Sequence, residues 1–378
     1  MMQSKQHPVL VVRDSRFEAH LEKMPHLESY RRIQAAVSVL EDPTLDGKWT
    51  AIPPRMASEK ELAMVHTPEH IARIAASSGR PYTSFDMDTQ ATARSYEAAR
   101  LAAGAVFSLI DSTWEGPSRR GFAFVRPPGH HAESGRSMGF CLFNNIALGA
   151  RYLQTRYGAK RLMIVDIDAH HGNGTQSAFY GTDSVLYASF HQFPAYPGTG
   201  NIGEVGVGEG AGYTVNIPLG KGCGDKDFAQ IIHFLIAPLA QAYKPEMLLV
   251  SCGFDLYFRD RLCGMRATGS GYAMMTCLLL DIADRLCDGR ILFVMEGGYS
   301  LKGIKECGLR VMQELCGIPT LSRTQLDPII GSDGPKLSAL KKALEVQRDY
   351  WKNLILTIPT LVASQVTPGL FSRNRCFD

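Results

Sequence analysis

Between Asp166 and His171 the chain crowds two carboxylates and two imidazoles into the run Asp-Ile-Asp-Ala-His-His. Asp168 and His170 stand two apart just after the apolar run Leu162 to Val165, where strand alternation points both side chains the same way. Zinc takes carboxylate oxygen and neutral imidazole, and a catalytic zinc needs three protein ligands with a fourth position left for water. Asp255, in Gly253-Phe254-Asp255 after the apolar run Met247 to Ser251, offers the third ligand from a neighbouring strand exit. The plainer alternative is that Asp168 and Asp255 only cap the loops or helices that follow, the commoner fate of a lone aspartate. The crowding at Asp166 to His171 favours the metal.

Two adjacent histidines close Arg126-Pro127-Pro128-Gly129-His130-His131. Burying both imidazoles would demand a partner for each polar nitrogen, so core packing is a poor explanation and proton transfer a better one. Metal ligation by both is awkward, because neighbouring side chains diverge. Tyr299, after Glu296-Gly297-Gly298, sits on a turn that lets its hydroxyl enter a site and donate to a developing oxyanion. A tyrosine near a turn more often packs amphipathically, but this one follows a third strand exit.

These groups need a scaffold. Apolar runs at Val9 to Val12, Leu162 to Val165, Val185 to Phe190, Met247 to Ser251 and Ile291 to Met295 predict strands buried on both faces of a parallel sheet. Helical patterns alternate with them at Ser95 to Ile110, Asn145 to Tyr157, Lys226 to Ala242, Gly271 to Leu286 and Leu301 to Leu315. The alternation predicts a doubly wound α/β domain whose ligand crevice lies beyond the carboxyl ends of the strands. The exits after Val165, Ser251 and Met295 should therefore converge. A linker is expected at Gly317 to Lys336, followed by one amphipathic helix over Leu337 to Leu354. That helix should pack on the main domain; partner binding or homo-oligomerisation is the alternative.

Composition sets the outer bounds. The chain has 378 residues, 45% of them hydrophobic, with 36 Gly and 20 Pro, which suits a large globular core with many loops. Its 40 Lys and Arg against 37 Asp and Glu leave a net charge of +3, which argues against direct nucleic-acid binding. The nine cysteines, from Cys141 to Cys376, include no C-x-x-C pair and suggest neither a disulfide framework nor a zinc ribbon. No secretory h-region and no membrane span are evident, so a cytoplasmic protein is expected.

Four motifs occur in one order: R-P-P-G-H-H at Arg126 to His131, D-I-D-A-H-H-G-N-G-T at Asp166 to Thr175, G-F-D at Gly253 to Asp255, and E-G-G-Y at Glu296 to Tyr299. With them the chain resembles the histone deacetylase and acetylpolyamine amidohydrolase superfamily, above all its bacterial class II-like histone deacetylase-like amidohydrolases, over roughly Pro8 to Gly317. The resemblance implies a single arginase-like α/β domain, residues 1–318, with a C-terminal linker, helix and tail over 319–378. It implies hydrolysis of an Nε-acyl-lysine or a related acylated amine.

Carried over by position, Asp168, His170 and Asp255 would hold Zn2+, with Fe2+ as an alternative for such a donor set. His130 and His131 would be the catalytic pair, Asp166 the partner of His130, Asn173 that of His131, and Tyr299 the group that polarises the acyl carbonyl. K+ would lie beneath the zinc at Asp166, Asp168, His170, Ser189 and Phe190. Phe140 and Tyr196 would wall a narrow substrate tunnel, with Leu262 at its rim and the Gly139 carbonyl facing the substrate amide. In the mechanism this implies, His131 moves both protons and His130 assists electrostatically. Two other functions suit the residues less well. A binuclear manganese ureohydrolase lacks the extra carboxylate it would want in Asp166 to His171 and has no use for Tyr299. A non-catalytic acyl-lysine reader has no reason to keep the ligands, both histidines and Tyr299 together.

Overall fold

A computed structural model of the chain describes residues 7–330, 332 and 334–352. Eight parallel strands form one sheet: β1 Val9–Val12, β2 Trp49–Ala51, β3 Arg120–Ala123, β4 Leu162–Asp166, β5 Val185–Gln192, β6 Thr214–Leu219, β7 Met247–Cys252 and β8 Ile291–Met295. Their spatial order is β2-β1-β3-β8-β7-β4-β5-β6. Every residue of β1, β4, β5, β7 and β8 is buried, as continuous apolar runs require when helices cover both faces.

The five strands expected from apolar runs are present, and three more join them: two without such a run, and β3 at a run, Phe122 to Val125, not among those expected. β2 is a short edge strand with two of its three residues exposed. Arg120-Gly121 opens β3 with a charge and a glycine, and β6 alternates Thr, Asn and Pro with its apolar residues. Pro218 is tolerated there because, among the described residues, β6 pairs only with β5 and its other edge needs no ladder donor. The expected helices are found, with the first longer, at Ser95–Glu115. The third pattern is helical from Asp225 to Tyr243 with one π turn over Ile232–Ile236.

The expected linker needs a correction. Arg323–Ile330 within it is a helix that buries Leu326 and Ile329 against the core, so the apolar spacing outweighs the Pro and Gly that suggested a loop. The helix after it spans Ser338–Arg348 and buries Leu340, Ala343 and Leu344. It packs on β6, where Gln347 Nε2 donates to the Thr214 carbonyl at 3.4 Å and Trp351 Nε1 to that of Gly212 at 2.9 Å. The helix stops at Arg348, short of the expected Leu354, with Asp349 to Lys352 already outside it, while Leu354 itself and the tail lie outside the described residues. Among the described residues, no helix is long and apolar enough to cross a membrane.

β3, β8, β7 and β4 are consecutive neighbours in the sheet, although β3 and β4 are consecutive in sequence. The chain leaves a gap of two strands there and fills it last. The crevice where connections diverge at the carboxyl ends falls on these strands, and each of the four exits carries one of the four motifs.

Candidate active site

β4 ends at Asp166, so Asp168 and His170 lie in the loop beyond it and strand alternation does not explain their meeting. A turn does. The Asp168 carboxylate accepts the His170 backbone N–H at 2.9 Å, and its Oδ1 also lies 3.1 Å from His170 Nδ1. Asp255, from the β7 exit, places Oδ2 3.0 Å from the same nitrogen, while its Oδ1 accepts the Ala169 N–H at 2.7 Å. The β8 exit holds the other Asp168 oxygen, through the Gly297 N–H at 2.8 Å.

Donor atoms of Asp168, His170 and Asp255 all lie within 4.8 Å of one another, and all three residues are buried. Burial and the neighbouring Asp168 carboxylate push Asp255 above its ordinary value. Two buried carboxylates sharing one imidazole call for a cation. Space for one is kept by two glycines: a Cβ on Gly253 would stand 2.1 Å from Asp168 Oδ2, and one on Gly297 would stand 2.4 Å from Asp255 Oδ2. Two carboxylate oxygens and an imidazole nitrogen, with room beside them, suit a divalent transition metal.

The histidine pair follows β3, with ring centroids 4.0 Å apart. Glu296 carries the loop across from β8 by accepting the Gly129 N–H at 2.7 Å and the His130 N–H at 3.1 Å. His130 Nδ1 faces Asp166 Oδ2 at 3.1 Å. His131 Nδ1 faces Asn173 Oδ1 at 2.9 Å, while Asn173 Nδ2 donates to Glu133 at 2.8 Å and so fixes the amide's orientation. His131 Nδ1 therefore carries the proton, and its Nε2 offers a lone pair. Burial opposes a charge on either ring. At His130 the Asp166 and Asp168 carboxylates outweigh it and push the imidazole up to about 10, whereas burial together with the neighbouring His130 and His170 holds His131 well below its ordinary value. A pair pushed apart in this way divides into a charged partner and a base.

Burial pushes the Tyr299 phenol well up, against the pull of the Arg32 guanidinium, so the hydroxyl keeps its proton as a donor. Arg32 lies 4.9 Å from the Tyr299 ring, and Phe140 stands edge-on to it at 5.8 Å. Tyr196 stands edge-on to His131 at 5.1 Å and 6.5 Å from His170. Phe140 has φ +67, a left-handed backbone held by its N–H to Thr89 Oγ1 at 3.0 Å, and the Gly139 N–H is taken by Asp88 at 3.2 Å. The Gly139 carbonyl accepts the Cys141 thiol at 3.3 Å, and Leu262 is 38% exposed beyond the buried centre. Ser189 pairs with Asp166 across β4 and β5. Ser189 and Phe190 are both buried.

Several contacts were not legible in the motifs. Tyr187 donates its hydroxyl to Asp166 Oδ2 at 3.1 Å. Arg32, on the helix Tyr30–Val37, donates to the carbonyls of Glu296 at 2.6 Å and Gly298 at 2.5 Å and pairs with Glu28 at 2.7 Å. His171 sits between Thr199 and Gln176, at 2.8 and 3.0 Å, and ties the metal-side loop to the segment after Tyr196.

The family model described as the histone deacetylase domain matches residues 26–315. Histone deacetylase 15 of Arabidopsis thaliana is 38% identical over 354 residues, covering 92% of this chain and 62% of its own length. Polyamine deacetylase HDAC10 of Mus musculus is 36% identical over 363 residues, covering 90% of this chain and 52% of its own length, so the chain spans little more than half to three-fifths of these relatives. A crystal structure of the HDA15 HD domain superposes with a TM-score of 0.83 at 37% identity, covering 93% of this chain and 97% of that one. The eight-stranded parallel sheet, the four motif-bearing exits and a match over most of the sequence agree, and the chain belongs to the histone deacetylase family of hydrolases.

Proposed function

We propose that this hydrolase removes an acetyl or similar short acyl group from Nε-acyl-lysine in proteins or from a related acylated amine, with Zn2+ held by Asp168, His170 and Asp255. The observation that carries the reading is the bare Nε2 of His131, fixed by Asn173 beside the buried triad. Fe2+ is the alternative ion for two carboxylates and one imidazole. When bound, such an ion supplies Lewis acidity to a carbonyl and acidifies water.

The chain's own residues supply the rest. His131 Nε2 takes a proton from the attacking water and returns one to the departing amine, which leaves as a neutral group. His130, charged against Asp166, steadies the negative charge that builds up. Tyr299 donates to the oxyanion. Phe140 and Tyr196 flank the aliphatic stem and exclude water, with Leu262 at the rim and the Gly139 carbonyl available to the substrate amide. K+ is assigned to Asp166, Asp168, His170, Ser189 and Phe190. Ser189 suits it: His191 Nε2 donates to the Gly200 carbonyl at 2.9 Å, so its Nδ1 accepts the Ser189 hydroxyl proton and leaves that oxygen's lone pairs for a cation. The catalytic unit in this reading is residues 1–318, with 319–378 as an appended segment.

An acetylpolyamine amidohydrolase is the second reading, favoured by the 36% identity to a polyamine deacetylase. A panel of acyl-lysine peptides and acylpolyamines, assayed with metal-reconstituted protein, separates the two. Turnover of acetyl-lysine peptide above acetylpolyamine supports the first, the reverse supports the second, and no hydrolysis of either rejects both.

Tyr196→Ala should raise KM for an acetyl-lysine peptide by about fivefold, the equivalent of about 1 kcal/mol of aromatic contact, with kcat little changed. An unchanged KM would place Tyr196 outside the tunnel. Asn173→Asp puts a carboxylate where a neutral amide now meets His131 Nδ1. That charge favours imidazolium and raises the His131 pKa, so the base is protonated at higher pH than before. The acidic limb of kcat/KM should move upward by about 1 pH unit. A limb that stays in place in Asn173→Asp but vanishes in His130→Ala would make His130 the base.

A further inference from the structure

The loop after Asp255 returns beneath Tyr299 and brings a second carboxylate with it. Asp260 Oδ2 accepts the backbone N–H of Tyr299 at 2.6 Å and that of Ser300 at 3.1 Å. Its Oδ1 accepts the Leu262 N–H at 2.9 Å, and its own N–H is anchored on the Tyr257 carbonyl at 2.8 Å. One carboxylate thus takes three backbone donors from two segments, one carrying Tyr299 and the other the exposed Leu262. Hydrogen bonds to an ionised acceptor are roughly twice as strong as neutral ones. The arginines on either side in sequence are exposed, with Arg259 lying 5.1 Å over the Phe258 ring, and they leave the Asp260 carboxylate to the backbone.

The Tyr299 segment needs such a clamp. Gly298 adopts φ +114 and has no side chain to pack, so the two residues before the tyrosine cannot fix it by themselves. Upstream, Arg32 holds the Glu296 and Gly298 carbonyls, and Asp168 holds the Gly297 N–H. Downstream, Ser300 caps the helix Leu301–Leu315 by accepting the Gly303 N–H. Between these anchors the Tyr299 N–H points to Asp260. A misplacement of ~1 Å at a reacting group can lower a rate by ~10²-fold.

We propose that Asp260 is a positioning residue for acyl transfer, in which a single carboxylate sets the Tyr299 hydroxyl against the metal triad and the Leu262 rim in one register. This rests on the reading of Tyr299 as the oxyanion donor. The consequence for kinetics is a split: the part of Asp260 that acts through Tyr299 appears in kcat, and the part that acts through Leu262 appears in KM.

The test is a double-mutant cycle on the full, metal-loaded chain with an acetyl-lysine peptide, comparing wild type, Asp260→Ala, Tyr299→Phe and the double variant, with metal content measured for each. Asp260→Ala should lower kcat by roughly 10-fold or more at unchanged metal content. In the Tyr299→Phe background the same substitution should change kcat by less than about twofold, because the hydroxyl it positions is already gone, while KM rises by the same factor in both backgrounds. An equal fold loss of kcat in both backgrounds would show general structural damage and overturn the proposal. Should Asp260→Ala fail to fold, Asp260→Asn, which keeps only one acceptor oxygen, is read by the same criterion. Wild-type kcat in Tyr299→Phe alone would instead overturn the reading of Tyr299, and the role of Asp260 with it.

Discussion

Asp255→Ala is expected to lose bound metal and hydrolysis together, with metal well below one ion per chain and turnover down by ~10²-fold or more. Two donors remain in that variant, Asp168 and His170, and a tetrahedral site with two protein ligands is not retained against water. Asp255 also accepts the Ala169 N–H at 2.7 Å, so the alanine leaves a buried donor unpaired at a cost of about 1–3 kcal/mol. Asp255→Asn separates the two effects, since an amide oxygen can still serve Ala169 while the charge is removed. Metal loss in both variants, with the asparagine chain melting close to wild type, ties the loss of activity to the ion. Full occupancy and normal turnover in Asp255→Ala would remove Asp255 from the metal site.

The parts of this site that could be read from sequence are those whose residue types are costly anywhere else. Four ionisable groups in Asp166 to His171 and paired imidazoles at His130 and His131 cannot be buried cheaply, and each follows an apolar run or a rigid Pro-Gly turn. The α/β topology predicts convergence of the exits bearing Asp166 to His171, Asp255 and Tyr299, whereas the His130–His131 loop joins them through β3, a strand not among those expected. The topology does not give the reason for the meeting of Asp168 and His170, because β4 stops at Asp166 and a side-chain-to-backbone turn brings them together. Arg32, Tyr187 and Asp260 are not legible in the sequence for another reason. They act through backbone carbonyls, a carboxylate oxygen and backbone N–H groups on segments far away in sequence, and an arginine on a short helix or an aspartate between two arginines looks like surface. β3 shows a different limit in the fold: an apolar run is present at Phe122 to Val125, but the strand opens on Arg120-Gly121 and stops at Ala123, and what makes it a strand is that β1 and β8 supply ladders on both sides.

Tyr299→Phe should leave folding and metal content intact and cut kcat by ~10²-fold or more, the usual effect of removing one oxyanion donor. The ring is held by its surroundings, edge-on to Phe140 at 5.8 Å and beneath Arg32 at 4.9 Å, so phenylalanine fills the same space without the hydroxyl. Its backbone contacts, to Asp260 and through Gly298 to Arg32, do not involve the hydroxyl and survive the change. The loss should therefore be one of transition-state stabilisation, visible in kcat with KM little altered. The high pKa of the buried phenol fixes the sign of its pH dependence: the hydroxyl stays protonated through the working range, so Tyr299→Phe should lower the whole kcat profile without moving its acidic limb. A rise in KM alone would make Tyr299 a substrate-binding residue and leave the oxyanion to the metal and His130. A displaced acidic limb would mean that the tyrosine tunes His131 electrostatically rather than meeting the substrate itself.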